Sequence, residues 1–286
     1  MAKLHIVLTF DDNFWAPAYA VMRSVCLFTH RRRDLVFHLC QRGITDEHRA
    51  DLTRIETEFE ATLVWYDLDA WDLFADIAER MPYNKRLTNI VYARLLIDRL
   101  VGPDVERVLY LDCDMLVRAP IEDILEIDMR GLPIAAVRDT KGAFIVAGRD
   151  LASNRDIFDV ADPYFNAGMI LIDIAKWRDA CLLDRLEEMF ADGTMARIYY
   201  DQDFLNLVFR NNWLYLDPRW NVIDARHSHE GLDPAILHYT GWSKPWHVYS
   251  IVAFRRIYRH VMTNELFYRF MRHRWKRWWQ KKLRLR

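Results

Sequence analysis

The run Leu109-Tyr110-Leu111-Asp112-Cys113-Asp114-Met115-Leu116-Val117 sets two carboxylates, two residues apart, inside apolar sequence. If the run is a strand, alternation puts Asp112 and Asp114 on the same side of the backbone. Two carboxylates that close repel unless a cation sits between them or one takes a proton. A hard divalent ion with oxygen ligands is the simplest resolution, and holding a diphosphate is a common reason for such an ion. A strand ending in two solvated acids is the plainer alternative. Four other clusters carry polar groups. Asp11-Asp12-Asn13 can accept hydrogen bonds from a nucleobase or ribose, or can form a turn and helix cap. Tyr164-Phe165-Asn166-Ala167-Gly168-Met169 combines an amide with small residues that let backbone approach a ligand, or simply begins a strand. Tyr200-Asp201-Gln202-Asp203 gathers three acceptors that face a sugar or complement a helix dipole. In His238-Tyr239-Thr240-Gly241-Trp242-Ser243-Lys244, a neutral imidazole would complete a coordination sphere better suited to Mn²⁺ than to Ca²⁺. Lys244 would neutralise a diphosphate as a point cation.

These residues need elements to hold them. The chain has 286 residues and 52% hydrophobic side chains, enough for one large α/β domain. His5–Thr9, Leu35–Leu39, Leu63–Tyr66, Val108–Leu111, Ile134–Val137 and Ala167–Ile172 read as strands. Phe14–Phe28, Thr45–Phe59, Asn89–Leu100, Ala175–Phe190 and Gln202–Phe209 read as helices. This alternation predicts a mostly parallel central sheet covered on both faces, with ligands at the carboxyl ends of its strands. Asp11, Asp12, Asp112 and Asp114 fall at such ends. Lys141–Asp162 reads as a polar loop or lid, and Asn221–Pro234 as irregular.

Taken in order, the motifs resemble the family 8 retaining glycosyltransferases, especially the bacterial lipopolysaccharide α-galactosyl- and α-glucosyltransferases. The resemblance runs from about Leu4 to Trp246 and also includes Tyr92-Ala93-Arg94. It implies a single GT-A-type, Rossmann-like nucleotide-sugar transferase domain over residues 1–250. It further implies that Asp112, Asp114 and His238 hold Mn²⁺, with Mg²⁺ as the alternative. Thr9, Asp11 and Asn13 match positions that contact uridine, and Arg94 an arginine that contacts the donor. Asn166, Ala167, Asp201 and Gln202 match residues around the donor sugar, and Gly241 and Lys244 those that hold the diphosphate. The expected reaction moves a hexose, galactose or glucose, from UDP-galactose or UDP-glucose to an oligosaccharide or glycolipid acceptor, in lipopolysaccharide or other cell-surface glycan synthesis. Gln202 matches the position nearest the anomeric carbon, and an amide is a poor nucleophile. Retention by same-face attack is therefore expected, with Asp203 as the alternative nucleophile. Arg86 and Thr88 lie near the acceptor-facing stretch but match it poorly. The interval from Trp220 to His238 is shorter than in similar enzymes, so acceptor identity is not carried over.

Charge separates the C-terminal segment from the rest. Nine Lys/Arg and no acid lie between Arg269 and Arg286, against 31 basic and 41 acidic side chains elsewhere. The acidic body argues against nucleic-acid binding. Over residues 251–286, Phe267, Phe270, Met271, Trp275, Trp278 and Trp279 recur at helical spacing among basic residues. This predicts an amphipathic helical tail on an anionic membrane surface, or else a helix docked on the acidic body. The four cysteines are scattered, as in a reducing compartment. No signal peptide or membrane-spanning run is visible, so a cytoplasmic protein, peripheral on the inner face of the cell membrane, is expected. Two other classes are weighed against this one. A haloacid-dehalogenase-type phosphotransferase also uses Asp-x-Asp after a strand, but Leu116 stands where that class carries Thr or Val. A non-enzymatic membrane adaptor explains the tail and not the polar clusters.

Overall fold

Along Leu4–Asp11, Ile6, Leu8 and Phe10 enter one hydrophobic cluster while Val7 enters another. A strand with both faces apolar must be covered twice. The computed structural model describes residues 2–81, 88–139, 157–159, 161–198 and 200–284, and it covers this strand in that way. Helices Trp15–Phe28 and Asp46–Phe59 supply Trp15, Tyr19, Met22, Leu52 and Ile55 to the first cluster. Helices Asp72–Arg80 and Tyr200–Val208 supply Phe74, Ile77, Phe204 and Leu205 to the second.

The strands are β1 (Leu4–Asp11), β2 (Leu35–Arg42), β3 (Thr62–Asp67), β4 (Arg107–Leu111), β5 (Met115–Val117), β6 (Ile134–Arg138), β7 (Phe165–Asp173), β8 (Leu214–Tyr215), β9 (Val222–Ile223) and β10 (Ile236–His238). Seven of them form one sheet in the order β3-β2-β1-β4-β7-β6-β8, and β5-β10-β9 form a second, small sheet. The large sheet is mostly parallel, and β7 alone runs against its neighbours β4 and β6. Because β7 is reversed, its first residues lie at the same edge as the carboxyl ends of β1 and β4. Pairing of β6 with β7 is irregular there: Ala136 faces Ile170, but Arg138 already faces Phe165. The additional β7 residues bend the strand where Asn166, Ala167 and Gly168 sit, as bulges do beside binding sites.

Several elements differ from their sequence reading. Asn89–Leu100 is not one α-helix but a 3₁₀ stretch, Asn89–Leu96, followed by the helical turn Ile97–Leu100. Three-residue winding aligns Ile90, Ala93 and Leu96, all buried. Ala175–Phe190 is two helices, Ile174–Asp179 and Leu182–Ala191, broken at Cys181, whose φ is +49°. The stretch read as irregular contains β9 and the 3₁₀ segment His227–Leu232. Arg86 and residues 141–156 of the expected lid lie outside the described residues.

The C-terminal segment is part of the core for half its length. Ala253, Tyr258, Met262, Leu266, Phe267 and Phe270 join the cluster of β1 and Trp15. Arg269 of helix Asn264–Arg284 reaches Asp51 at 2.6 Å and Glu47 at 2.5 Å. Farther along, Trp275, Trp278 and Trp279 are exposed. Among the described residues no helix is long and apolar enough to cross a membrane.

One buried histidine gives the fold a pH signature. His38 on β2 contacts His5 at 2.9 Å and the Tyr66 hydroxyl at 3.0 Å. Burial, aided by His5, pushes its pKa down to about 4. The unfolded chain takes up this proton near pH 6.5 and the folded protein only near 4, so stability falls as pH drops through that window. The expected loss from this group is about 3 kcal/mol. Urea denaturation from pH 7 to pH 4 checks it: His38→Gln should show a shallower pH slope than the wild type, and equal slopes would refute the assignment.

Candidate active site and metal centre

The Asp112-Cys113-Asp114 segment follows the carboxyl end of β4, as expected, but is a turn between β4 and β5 and not a strand on which alternation aligns the two acids. The turn itself brings the two carboxylates together. The Asp112 N–H donates to the Gly168 carbonyl at 2.8 Å, and the Asp114 carbonyl accepts from the Tyr239 N–H at 3.0 Å. Cys113, buried, lies with its thiol 3.6 Å from the Thr9 carbonyl. The turn is therefore fastened to β1, β7 and the residue after β10.

His238 arrives from the small sheet, where it pairs with Met115, the residue directly after the turn. Its Nε2 lies 3.1 Å from Asp114 Oδ1 and 3.6 Å from Asp112 Oδ2. One ligand atom from each of Asp112, Asp114 and His238 can be chosen so that all lie within 4.8 Å of one another. Each carboxylate has one oxygen fixed from outside and the other turned to the imidazole. Asp112 Oδ1 accepts from Arg94 at 3.0 Å and from the Tyr110 hydroxyl at 2.8 Å. Asp114 Oδ2 accepts from Lys244 at 2.7 Å. Burial opposes ionisation of Asp114, but Lys244 and His238 outweigh it and hold its carboxyl well below the usual range. Two carboxylate oxygens and one ring nitrogen form a mixed donor set that suits Mn²⁺ or a similar divalent ion. Gly168 leaves room for it: a Cβ there would stand 2.3 Å from His238 Cε1 and 2.6 Å from Asp112 Oδ2.

Around this centre, Arg94 is buried between two acids, with Nε 2.9 Å from Asp201 Oδ2. That N–H points instead to the Val91 carbonyl, so Asp201 Oδ2 is a buried oxygen without a hydrogen-bond donor. Burial pushes the Asp201 carboxyl up despite the Arg94 charge. Arg94 also donates to the Ala167 carbonyl at 2.6 Å. The Gln202 Oε1 accepts from the Ala167 N–H at 3.0 Å, and its Nε2 lies 3.3 Å from Asp139 Oδ2. Thr9 joins through the Tyr110 hydroxyl at 2.9 Å.

Eleven of the expected site residues thus fall into one bonded network: Thr9, Arg94, Asp112, Asp114, Asn166, Ala167, Asp201, Gln202, His238, Lys244 and, through the Tyr164 hydroxyl 3.3 Å from Gln202 Nε2, Asp203. Asp11, Asn13 and Gly241 stand apart from it. Asp11 bonds Asn13 through both oxygens, 2.9 Å to its N–H and 3.1 Å to its amide, and so caps the following 3₁₀ turn. A Cβ on Gly241 would meet Asp224 Oδ1 at 2.7 Å. Asp203 is 1% exposed and accepts from the Tyr164 hydroxyl at 2.5 Å. Sequence reading missed Asp139, Asn221 and the hydroxyls of Tyr110 and Tyr164. Asp139 follows the last residue of β6, a strand-end signal like that of Asp112. The aromatic residues and Asn221 carry no comparable signal.

The model of the family described as "Glycosyl transferase family 8" matches residues 5–249. Glycosyltransferase GlyF of Streptococcus pneumoniae is 30% identical over 273 residues, covering 91% of this chain and 62% of GlyF, so the chain spans under two thirds of that relative. The lipopolysaccharide 1,3-galactosyltransferase of Salmonella typhimurium is 25% identical, covering 92% of this chain and 78% of that enzyme. Among solved structures, the galactosyltransferase LgtC in complex with donor and acceptor sugar analogues shares the fold, with a TM-score of 0.74 and 24% identity over 91% of this chain and 95% of LgtC. With the family pattern spanning every element that builds the site, the chain belongs to glycosyl transferase family 8.

Proposed function

We propose that the protein transfers a hexose, galactose or glucose, from a UDP-sugar to a saccharide acceptor with retention of anomeric configuration, and that Mn²⁺ supports the reaction. One observation carries this reading: the inward oxygens of Asp112 and Asp114 converge with the His238 imidazole while Arg94 and Lys244 fix the outward ones. Three acceptors at one point call for a cation. Bound there, a divalent ion supplies Lewis-acid stabilisation of the charge that grows on the departing diphosphate. Lys244, a compact ammonium beside Asp114, adds a second positive charge for the diphosphate. Asp201 Oδ2, buried and without a donor, is suited to accept from a hydroxyl of the donor sugar. Thr9, Asp11 and Asn13 at the end of β1 are assigned to the uridine, Arg94, Asn166 and Ala167 to the donor, and Gly241 to the diphosphate loop. Gln202 is an amide, and Asp203 is buried against Tyr164. Both facts favour attack by the acceptor hydroxyl on the face the diphosphate leaves, over a covalent intermediate on Asp203.

Relatives named lipopolysaccharide glucosyl- and galactosyltransferases support an acceptor in cell-surface glycan synthesis. The exposed Trp275, Trp278 and Trp279, set among basic residues, support attachment of the outer half of the last helix to an anionic inner membrane face. Membership of a glycosyl transferase family leaves the phosphotransferase and adaptor alternatives without support.

Hydrolysis of a panel of UDP-sugars, with Mn²⁺ and with chelator, tests the reaction. UDP-galactose or UDP-glucose should turn over only with metal. Asp114→Ala should lose roughly a hundredfold or more of turnover together with Mn²⁺ binding, at near-normal thermal stability, and Gly168→Ala should lose both as well, with some loss of stability from the clash. Metal-independent turnover, or full activity in Gly168→Ala, would contradict the reading. A chain ending at Arg274 keeps the docked half of the last helix. It should remain in the supernatant after centrifugation with anionic vesicles while still hydrolysing donor, whereas continued pelleting would remove the tail from the account.

A further inference from the structure

Asn221, just before β9, is 2% exposed and belongs to none of the expected ligand sets. Its amide lies between Asn166 and His238, and the orientation of that amide follows from a backbone group. The Gly168 N–H, which can only donate, points to Asn166 Oδ1 at 3.0 Å. The Asn166 Nδ2 then meets a carboxylate, Asp139 Oδ2, at 3.1 Å, as a donor must. Asn166 Oδ1 therefore receives Asn221 Nδ2, at 3.0 Å. The remaining atom, Asn221 Oδ1, faces His238 Nδ1 at 3.1 Å and can only accept. Nδ1 must then carry a proton, so Nε2, which faces Asp112 and Asp114, is the ring nitrogen left for a cation.

We propose that Asn221 is a positioning residue that locks His238 in its Nδ1–H tautomer and so presents Nε2 to a divalent cation. The proposal rests on the metal reading given above. The constraint has a definite origin, because three successive amide and imidazole groups take their orientation from one peptide N–H at the bulge of β7. Asn166 also contacts Gln202 Oε1, at 3.4 Å, so the same chain ties the ring to the residues assigned to the donor sugar. Outer partners of this kind typically contribute about 10–100-fold to metal affinity.

Two measurements test it. Long-range ¹H–¹⁵N spectra of the metal-free protein, with His238 assigned by comparison with His238→Gln, report the tautomer directly. The wild type should show Nδ1–H, and Asn221→Leu a mixture with Nε2–H. Mn²⁺ binding followed by the electron paramagnetic resonance of free ion should weaken 10–100-fold in Asn221→Leu. In Asn221→Asp, which keeps an acceptor against Nδ1–H, it should stay within a few-fold of wild type. A purely structural role for Asn221 would instead make the buried Asp at least as damaging as Leu. A wild-type ring without a proton on Nδ1, or unchanged Mn²⁺ affinity in Asn221→Leu, would overturn the proposal. Should Asn221→Leu fail to fold, the wild-type tautomer and the Asp variant decide the matter. If the wild type binds no Mn²⁺, the metal reading falls, and the metal-free tautomer still decides whether Asn221 orients the ring.

Discussion

Two carboxylates and an imidazole nitrogen meet at one point, and the surrounding structure is arranged around the electrostatic cost of that meeting. Left alone, Asp112 and Asp114 would repel each other. Arg94 and Lys244 each take one oxygen of one carboxylate, at 3.0 and 2.7 Å, and so offset the repulsion. The inward oxygens remain for a cation. Arg94 can do this because it is buried, with Tyr110 beneath its guanidinium plane 4.3 Å from the ring centre. Lys244 does this from the loop after β10, its ammonium held by Asp114 and the Tyr239 carbonyl beside the position assigned to a diphosphate.

The fold supplies this geometry through two sheets joined at one turn. Strand β4 ends at Leu111, the turn carries both aspartates, and β5 starts at Met115 and pairs with the strand that delivers His238. Asp114 and His238, 124 residues apart in sequence, are thereby brought together by adjacent hydrogen-bond ladders. The reversed β7 places Gly168 against the same point, close enough that any side chain there would collide with the ligands. Rigid elements on three sides make the site precise, as positioning of ligands requires.

Much of this was legible in the sequence, and the part that was not has a physical reason. The strands and the helices Trp15–Phe28 and Asp46–Phe59 carry strong apolar periodicity, and strand-end carboxylates pointed to the edge of the sheet where Asp112, Asp114 and His238 converge. The mistaken steps came where tertiary contacts override local pattern. Asp112 and Asp114 were expected on one face of a strand, whereas a turn fastened by Gly168 and Tyr239 brings them together. Asn89–Leu100 has the composition of an α-helix, but Arg94 must reach both Asp112 and Asp201, and the segment winds as a 3₁₀ stretch instead. Asn221 gives no local signal, because its role depends on partners 17 and 55 residues away. The aromatic C-terminal residues were read as one face, yet Phe267 and Phe270 pack in the core while Trp275, Trp278 and Trp279 do not.

The central claim is that one divalent cation is held jointly by Asp112, Asp114 and His238. Anomalous diffraction from crystals grown with Mn²⁺ and UDP tests it most directly. The account requires a single strong peak within coordination distance of the Asp112, Asp114 and His238 side chains, beside the bound UDP. A peak elsewhere, or UDP bound with no anomalous signal between those three side chains, would contradict it.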